Sequence, residues 1–339
     1  MQNKQTILLT GIAGFIEAHT LEHLLENTSA DIIGWDSLEH AGDIRRIDQV
    51  LSKNPEWKDR LKFTKLDIAL SAPDLLKHNL HGVTPEVIIN MASESHVDRS
   101  IAVPAPFIRN NVDLTVNMLE LAREIKPEVF IQISTDEVYG PMHDHPYKEW
   151  ERYLPSNPYS ASKAAQEMIA ISYWRTYGVP LVITNTMNNI GEMQDVEKFV
   201  PMLIRDISEG KVAQIHGTAE EIGTRFYLHA RNHADALLFI INRGSPAPYE
   251  SGNEFPDKFN IVGDTQLSNL EMAEEIAKLL GEPLKYELVD YHSTRPGHDM
   301  HYGLDGSKLE SLGWKPPLTF EDSLKRTVEN YMEHKEWMQ

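Results

Sequence analysis

Two closely spaced glycines follow the first apolar run of the sequence. Residues Thr6 to Thr10 predict a buried strand, Gly11 and Gly14 come directly after it, and a helical pattern then reaches Glu26. Glycines at this spacing permit a tight turn and a close approach of the backbone to a bound group. The N-terminus of the following helix offers free N–H groups to a phosphate. The pattern predicts a turn that holds the pyrophosphate of a dinucleotide, through Gly11, Gly14, Phe15 and Ile16.

Glu17 stands where the third glycine of this kind of motif is expected. A carboxylate in the first turn of a helix suits the helix dipole. Beside a pyrophosphate, however, it would repel, and its bulk would push the helix away from the sheet. We expect Glu17 to weaken cofactor binding without abolishing it, so that Glu17→Gly would tighten binding. A turn that binds no ligand is the alternative interpretation.

Strand and helix patterns alternate through the first part of the sequence. Two long helical patterns cover Asn111 to Ile125 and Tyr159 to Tyr177. Apolar runs predict further strands at Ile32 to Trp35, Leu61 to Leu66, Val87 to Met91, Val129 to Ile133 and Leu181 to Thr186. This alternation predicts right-handed crossovers and an α/β fold with a Rossmann-type, doubly wound parallel sheet.

The pattern becomes less regular after Thr186. Helices are predicted at Pro201 to Glu209, Asn269 to Leu280 and Phe320 to Met332, and short strands at Gln214 to Gly217 and Arg225 to Leu228. We expect two domains. Residues 1–187, joined by 226–262, would form the Rossmann domain, and residues 188–225 with 263–339 would form a smaller C-terminal substrate-binding domain.

Acidic residues close the second and third predicted strands. Asp36 lies where a carboxylate would bind the hydroxyls of an adenosine ribose and disfavour a 2′-phosphate. Asp67 and Ile68 follow the third strand, where an adenine would lie against them. We therefore expect NAD as the cofactor, and not NADP.

Composition narrows the classes of partner. The 339 residues carry a formal net charge of −19, which argues against nucleic acid because phosphate binding needs concentrated Lys and Arg. There is no cysteine, which excludes disulfides, thiolate metal sites and cysteine nucleophiles. A signal-peptide pattern and a long apolar span are both missing from the sequence, so we expect a cytoplasmic protein without membrane insertion. His229 and His233 lack the glutamate of a zinc-peptidase motif, and no metal site is predicted.

A hydroxyl and two carboxylates follow the fifth predicted strand. These are Thr135, Asp136 and Glu137, at the end of a strand where open parallel sheets bind ligands. Further along, Tyr159 and Lys163 are spaced to share one helical face, and the ammonium would lower the pKa of the phenol from about 10. The alternative is a solvated turn for the acids, and a packed ring with a solvated lysine for the Tyr–Lys pair.

Taken in order, these motifs resemble the extended short-chain dehydrogenase/reductases, and most closely the dTDP-glucose 4,6-dehydratases among them. The resemblance runs nearly from end to end. Besides the glycine turn and Asp36, it is carried by Glu94 to Ile101, Ser134 to Gly140, Pro158 to Ala164 and Arg295 to Asp299. Within the family, the adjacent Asp136 and Glu137 distinguish dehydratases from the related epimerases.

The resemblance implies a reaction and a role for each motif. The enzyme would convert an NDP-glucose into an NDP-4-keto-6-deoxyglucose with NAD as the hydride carrier. Tyr159 would remove the proton of the sugar 4-hydroxyl while Lys163 lowers its pKa and holds the nicotinamide ribose, and Thr135 would bind the 4-oxygen. Glu137 would then take the C5 proton, and a protonated Asp136 would give one to the departing 6-hydroxyl.

The resemblance also implies a nucleotide-sugar site and a homodimer. Lys198, Arg225 and Arg295 could supply the positive charge that a diphosphate needs. The substrate-binding residues that we expect are Ser95, Asn188, Asn189, Lys198, Arg225, Asn269, Arg295 and His298. The helices at 111–125 and 159–177 would pair with their copies through apolar faces that include Met118, Leu121 and Ile169. The alternative is that these residues lie wholly within the core of the subunit.

Departures from the family pattern leave the substrate open. The Tyr-Gly-Pro that usually follows the two asparagines is Ile190-Gly191-Glu192 here, and the residues after Arg225 also differ. The alternatives are epimerisation, 5,6-dehydration, and a catalytically silent protein that binds NAD or a nucleotide sugar. Neither the base nor the exact sugar follows from the sequence.

Overall fold

A computed structural model describes residues 4–249, 252–290 and 299–339 of the chain. Its strands are β1 (Thr6–Thr10), β2 (Asp31–Asp36), β3 (Leu61–Lys65), β4 (Val87–Asn90), β5 (Val129–Thr135), β6 (Leu181–Thr186), β7 (Asn188–Ile190), β8 (Ala213–His216), β9 (Thr224–His229), β10 (Asp257–Ile261), β11 (Thr265–Ser268) and β12 (Tyr286–Val289).

The helices are α1 (Phe15–Asn27), α2 (Ile44–Ser52), α3 (Pro73–His78), α4 (Val97–Ala102), α5 (Pro104–Ile125), α6 (Pro158–Tyr177), α7 (Phe199–Ser208), α8 (Ala230–Ile241), α9 (Asn269–Leu280), α10 (Ser307–Ser311) and α11 (Phe320–Glu333). Short 3₁₀ helices cover Pro55–Arg60, Asp136–Tyr139 and Lys335–Met338.

Seven parallel strands form the central sheet in the order β3-β2-β1-β4-β5-β6-β10. The direction of winding reverses between β1 and β4, so a crevice opens there beyond the carboxyl ends of the strands. This is the predicted doubly wound α/β sheet, and the order is that of a Rossmann fold. The predicted strands of the sheet are confirmed to within two residues at their ends.

Helices cover both faces of the sheet because its strands are apolar on both sides. In β1, Ile7 and Leu9 contribute to one apolar core, which α1 and α8 also line, and Leu8 contributes to a second core under α5 and α6. Met118 and Leu121 of α5 lie in this second core and are fully buried within the subunit. The prediction that these two residues face a partner chain is therefore wrong, since they pack on the sheet.

Smaller sheets lie beyond the central one. The strands β11, β9 and β7 form a three-stranded sheet, and β8 pairs with β12 in parallel. Between these elements the chain returns to the central sheet, where β10 pairs with β6 and α8 packs against α1. The division into two domains with the boundaries given above stays a prediction. Among the described residues, every helix is too short or too polar to cross a membrane.

Candidate functional site

The glycine turn between β1 and α1 has a backbone that only glycine adopts readily. Gly11 has a φ of +74° and donates its N–H to the carbonyl of Trp35 at 2.7 Å. A Cβ on Gly11 would lie 3.0 Å from the Cα of Ala92, so a side chain would collide with the backbone after β4. Gly14 precedes α1, and Phe15 and Ile16 begin the helix. The turn thus presents the first N–H groups of α1 at the crevice, which suits a phosphate.

Glu17 folds back over this turn. Its carboxylate lies in the space that a side chain on Gly14 would need. Burial raises the pKa of Glu17 to about 8 against the pull of its own backbone N–H, and the nearby Asp36 raises it further. The side chain therefore lies over the glycine turn and does not point outward to solvent.

Asp36 ends β2 as predicted and is held by two backbone N–H groups. Its carboxylate accepts hydrogen bonds from Ala13 at 2.9 Å and from Leu38 at 2.7 Å. Burial raises the pKa of Asp36 despite these bonds. Asp67, after β3, accepts a hydrogen bond from the N–H of Leu70 at 3.2 Å, and the adjacent Ile68 is buried. Asp36, Asp67 and Ile68, the residues proposed for the adenosine, therefore lie at the carboxyl ends of two neighbouring parallel strands, β2 and β3.

Thr135 and the two carboxylates form one hydrogen-bonded group at the end of β5. The hydroxyl of Thr135 donates to Asp136 at 2.8 Å and accepts from the N–H of Glu137 at 3.3 Å. The amide of Asn157 donates to the Glu137 carboxylate at 3.1 Å. Asn157 also caps α6, the helix that carries Tyr159, so one residue fixes both the acid and the start of that helix.

The two carboxyls have pKa values that lie close to neutrality. Burial raises the pKa of Asp136 to about 6, although Thr135 and Arg225 act in the opposite direction. Burial and then the charge of Asp136 raise the pKa of Glu137 to about 7. The pair therefore exchanges protons with water near neutral pH, as an acid–base pair must. The two carboxyls titrate as one coupled pair, in which either can hold the shared proton.

Tyr159 and Lys163 lie one turn apart on α6, next to this group. The phenol of Tyr159 lies close to the Thr135 hydroxyl, and burial followed by the charge of Glu137 raises the pKa of the phenol. Lys163 is buried, donates to the carbonyl of Ile133 at 2.8 Å, and has a pKa that burial lowers to about 8. The expected lowering of the tyrosine pKa is therefore not seen, because burial and the charges of Glu137 and Asp136 raise it.

Two cations from outside the central sheet, Arg225 and Lys198, interact electrostatically with the acid pair. Arg225, at the start of β9, lowers the pKa of both carboxyls, and its guanidinium donates to the carbonyls of Thr224, Asp299 and Met300. Lys198 precedes α7; burial lowers its pKa, and Glu137 is among the acids that oppose this. These two cations face the acid pair, as a site for an anionic substrate requires.

The other proposed substrate residues are more scattered. Asn269 begins α9 and donates to the carbonyl of His216 at 3.3 Å, close to Gly223 and so to Arg225. Asn189 is buried and bonded to Thr186 and Met187, whereas Asn188 and Ser95 are exposed. Arg295 and His298 lie outside the described residues.

Sequence reasoning overlooked Asn157, whose signal was present. An Asn directly before a proline and a helical pattern is a typical N-cap, and this one reaches the proposed base. It also overlooked Glu167, one turn beyond Lys163, which forms a fully buried ion pair with Lys258 at 2.9 Å. Among the described residues, His, Asp and Glu side chains form no group of three or more that could hold a metal ion.

Known proteins share both the sequence and the fold. A family model described as GDP-mannose 4,6 dehydratase matches residues 8–327. The dTDP-glucose 4,6-dehydratase of Escherichia coli is 34% identical over 98% of this chain and 95% of its own length. Among solved structures, the dTDP-glucose 4,6-dehydratase of Bacillus anthracis in complex with NAD has a TM-score of 0.84 at 31% identity, with 98% of both chains covered.

A second solved structure agrees with the first. The dTDP-glucose 4,6-dehydratase of Streptomyces venezuelae, with NAD bound, has a TM-score of 0.85 at 31% identity and covers 99% of both chains. The family model and these relatives span nearly the whole sequence, including the glycine turn, the acid pair and the Tyr–Lys helix. On these grounds the chain belongs to the GDP-mannose 4,6-dehydratase family, within the extended short-chain dehydrogenase/reductases.

Proposed function

We propose that this chain is an NAD-dependent nucleotide-sugar 4,6-dehydratase that converts an NDP-glucose into an NDP-4-keto-6-deoxyglucose. The observation that carries the proposal is the acid pair Asp136 and Glu137, which is buried beside Tyr159 and has pKa values near neutrality. An oxidation at C4 alone needs one proton acceptor. Two further carboxyls poised to exchange protons are what the removal of water requires in addition. The full-length dTDP-glucose 4,6-dehydratase relatives support the same reaction.

The crevice suits NAD in three places. The glycine turn has no Cβ in the path of a pyrophosphate, Asp36 closes β2 where a ribose would bind, and Lys163 lies at the other end, beside the proposed reaction centre. The Glu17 side chain, which lies over the turn, would have to move, and the rotatable bonds of a glutamate side chain permit this. When bound, NAD supplies the acceptor for the C4 hydride, the donor that returns it to C6, and a positive charge that favours the phenolate.

Tyr159 would act first as the base. Its phenolate would take the proton of the 4-hydroxyl as C4 is oxidised, and Thr135, close to the phenol, would hold the 4-oxygen. The raised pKa of Tyr159 means that the phenolate needs nearby positive charge. Lys163, one turn along α6 and bonded to the carbonyl of Ile133, is the candidate for this charge.

The acid pair would then remove water. The 4-ketone acidifies the C5 proton, which Glu137 would take, and the C6–O bond would break as Asp136 gives its proton to the leaving hydroxyl. One proton enters the pair as one leaves it, so the pair ends with the same charge. Substrate binding must therefore place the shared proton on Asp136, and Lys198, which faces Glu137, would favour an ionised Glu137.

The test is a panel of nucleoside-diphosphate sugars, including dTDP-glucose and GDP-mannose, incubated with the purified protein and read by mass. Loss of one water identifies the substrate and the reaction. Glu137→Gln should reduce turnover by roughly 10²- to 10⁴-fold, the range for a general base, whereas Glu128→Gln, at the opposite end of β5, should leave it unchanged. A product of unchanged mass that separates from the substrate by chromatography would instead indicate epimerisation. No product from any sugar would refute the proposal.

We also propose a homodimer and a cytoplasmic location. The outward faces of α5 and α6 support the dimer, because Met168 is 48% exposed and Val112 and Val116 are only half-buried. Ile169, also half-buried, stays a candidate for the same face. The chain has no cysteine, so it depends on no disulfide and needs no oxidising compartment.

A further inference from the structure

Glu17 lies at the first turn of α1, where N–H groups have no partner within the helix. The first hydrogen bond of the helix runs from Ala18 to the carbonyl of Gly14, which leaves the N–H groups of residues 15–17 without one. The carboxylate of Glu17 lies against Gly14, and its own backbone N–H acts to lower its pKa. It thus occupies, from within the chain, a position that suits an external anion.

The charged neighbours of Glu17 indicate where its carboxylate lies along the crevice. Its carboxylate is close enough to interact electrostatically with Asp36 at the end of β2 and with Lys163 on α6. If the proposed function is correct, Asp36 marks the adenosine ribose and Lys163 the nicotinamide ribose. The pyrophosphate joins the two, so a group that faces both residues lies at the pyrophosphate.

We propose that Glu17 is an internal competitor for the cofactor's pyrophosphate and that NAD binding requires this carboxylate either to turn away or to take up a proton. The inference rests on the proposed function for the identity of the ligand. Its consequence is that NAD binding depends on pH through one residue of the glycine turn.

The charged groups around Glu17 set the direction of this dependence. Asp36 from β2 disfavours the carboxylate, whereas Arg46 from α2 and Lys163 from α6 favour it, and burial brings the pKa of Glu17 to about 8. Below that pH, Glu17 is mostly neutral and can donate a hydrogen bond to a phosphate oxygen. Above it, the carboxylate repels the pyrophosphate, so affinity falls as pH rises. Lys163, with a pKa lowered to about 8, loses charge over the same range and must be separated from the effect.

The experiment measures NAD affinity by calorimetry between pH 6.5 and 9.5 for the full-length wild type and for Glu17→Gln. The glutamine keeps the shape but does not titrate, and Lys163 titrates in both proteins. We expect similar affinities at pH 6.5 and an advantage for the glutamine variant that grows by up to about tenfold per pH unit above 8. Repeating the titration at pH 8.5 in two buffers of different ionisation enthalpy should show greater proton uptake by the wild type.

Two further variants complete the test. Glu26→Gln removes one charge from the exposed far end of α1 and should retain the wild-type pH profile. Glu17→Gly, checked for folding by its melting curve, should behave like the glutamine variant. Parallel pH profiles for wild type and Glu17→Gln would overturn the inference and leave the proposed function intact. Failure of both proteins to bind NAD at any pH would instead overturn the cofactor assignment, and the inference with it.

Discussion

Asp136 and Glu137 are buried where a stable protein would prefer neutral side chains. The burial that brings their pKa values toward neutrality also means that ionising them destabilises the folded chain. Active sites commonly contain such groups, since the property that serves the reaction opposes stability. The acid pair therefore offers a test that needs no substrate.

Replacing Asp136 by Asn should stabilise the protein at alkaline pH. The folded pKa of about 6 lies above the ordinary value of 3.8, so the penalty is complete above pH 6 and disappears as pH falls toward 4. A shift of this size corresponds to about 2 to 3 kcal/mol at pH 8. Urea unfolding at pH 8 and at pH 4.5 would measure it. Asp48→Asn, at an exposed position of α2, should change neither value, and an equal gain at both pH values would contradict the explanation.

Asp36 should make the protein select NAD over NADP. Both oxygens of its carboxylate are already held by N–H groups, so the charge cannot turn away from a 2′-phosphate. An uncompensated repulsion of about 1 to 3 kcal/mol would weaken NADP binding by several-fold to a hundredfold or more. Parallel titrations with NAD and NADP would show the difference, and Asp36→Asn should reduce it. Equal affinities for the wild type would refute this reading.

Among the elements, a strand could be predicted when its own sequence is apolar enough to show that it is buried. β5 and β6 were recognisable because continuous apolar runs are typical of strands covered on both faces. β10 was not recognised as a strand, because Lys258 and Asn260 interrupt its apolar pattern. Both residues are buried by partners far away in the sequence, including Glu167 and Tyr147.

The candidate site divides in the same way. The acid pair and Asp36 could be found because the end of a parallel strand is itself a positional signal. The direction of the Glu17 side chain and the raised pKa of Tyr159 could not be predicted. Both depend on burial by α2, α6 and the 3₁₀ helix Asp136–Tyr139. These elements are distant in the sequence, so the residues next to Glu17 or Tyr159 do not predict the burial. The sequence was thus enough to identify several residues of the site, whereas the orientation and burial of their side chains required the structure.

The ion pair between β10 and α6 should be important for stability. Lys258 is fully buried over the rings of Tyr139, Trp150 and Tyr153, and its ammonium donates to Glu167 at 2.9 Å. Lys258→Met should destabilise the chain by about 3 to 5 kcal/mol, because Glu167 would remain buried without this partner. Adding Glu167→Gln to that variant should recover much of the loss.

Urea unfolding of the two single variants and the double variant would measure the coupling between the two side chains. Lys58→Met, at an exposed position, is the control for the change of residue type. Additive losses in the double variant would show that the ion pair itself contributes little.

At the scale of the whole molecule, the proposed dimer places its interface on α5 and α6. The double variant Val116→Glu with Met168→Glu should be a monomer, since each charge would be desolvated in the centre of an apolar interface. Light scattering at micromolar concentration would report the mass. Met332→Glu, on the exposed side of α11, should leave the dimer intact. A wild-type monomer under the same conditions would contradict the proposal.

The return of β10 to the central sheet also has a consequence for synthesis. During synthesis β6 leaves the ribosome long before its neighbour β10 (Asp257–Ile261) has been made. The helix α8, which packs against α1, is also made well after α1. Until then β6, all of whose residues are buried in the finished fold, is the edge strand in place of β10, and the apolar face of α1 is uncovered. Both invite pairing with other chains. The emerging first half of this protein is therefore most vulnerable to aggregation until residue 261 has left the ribosome.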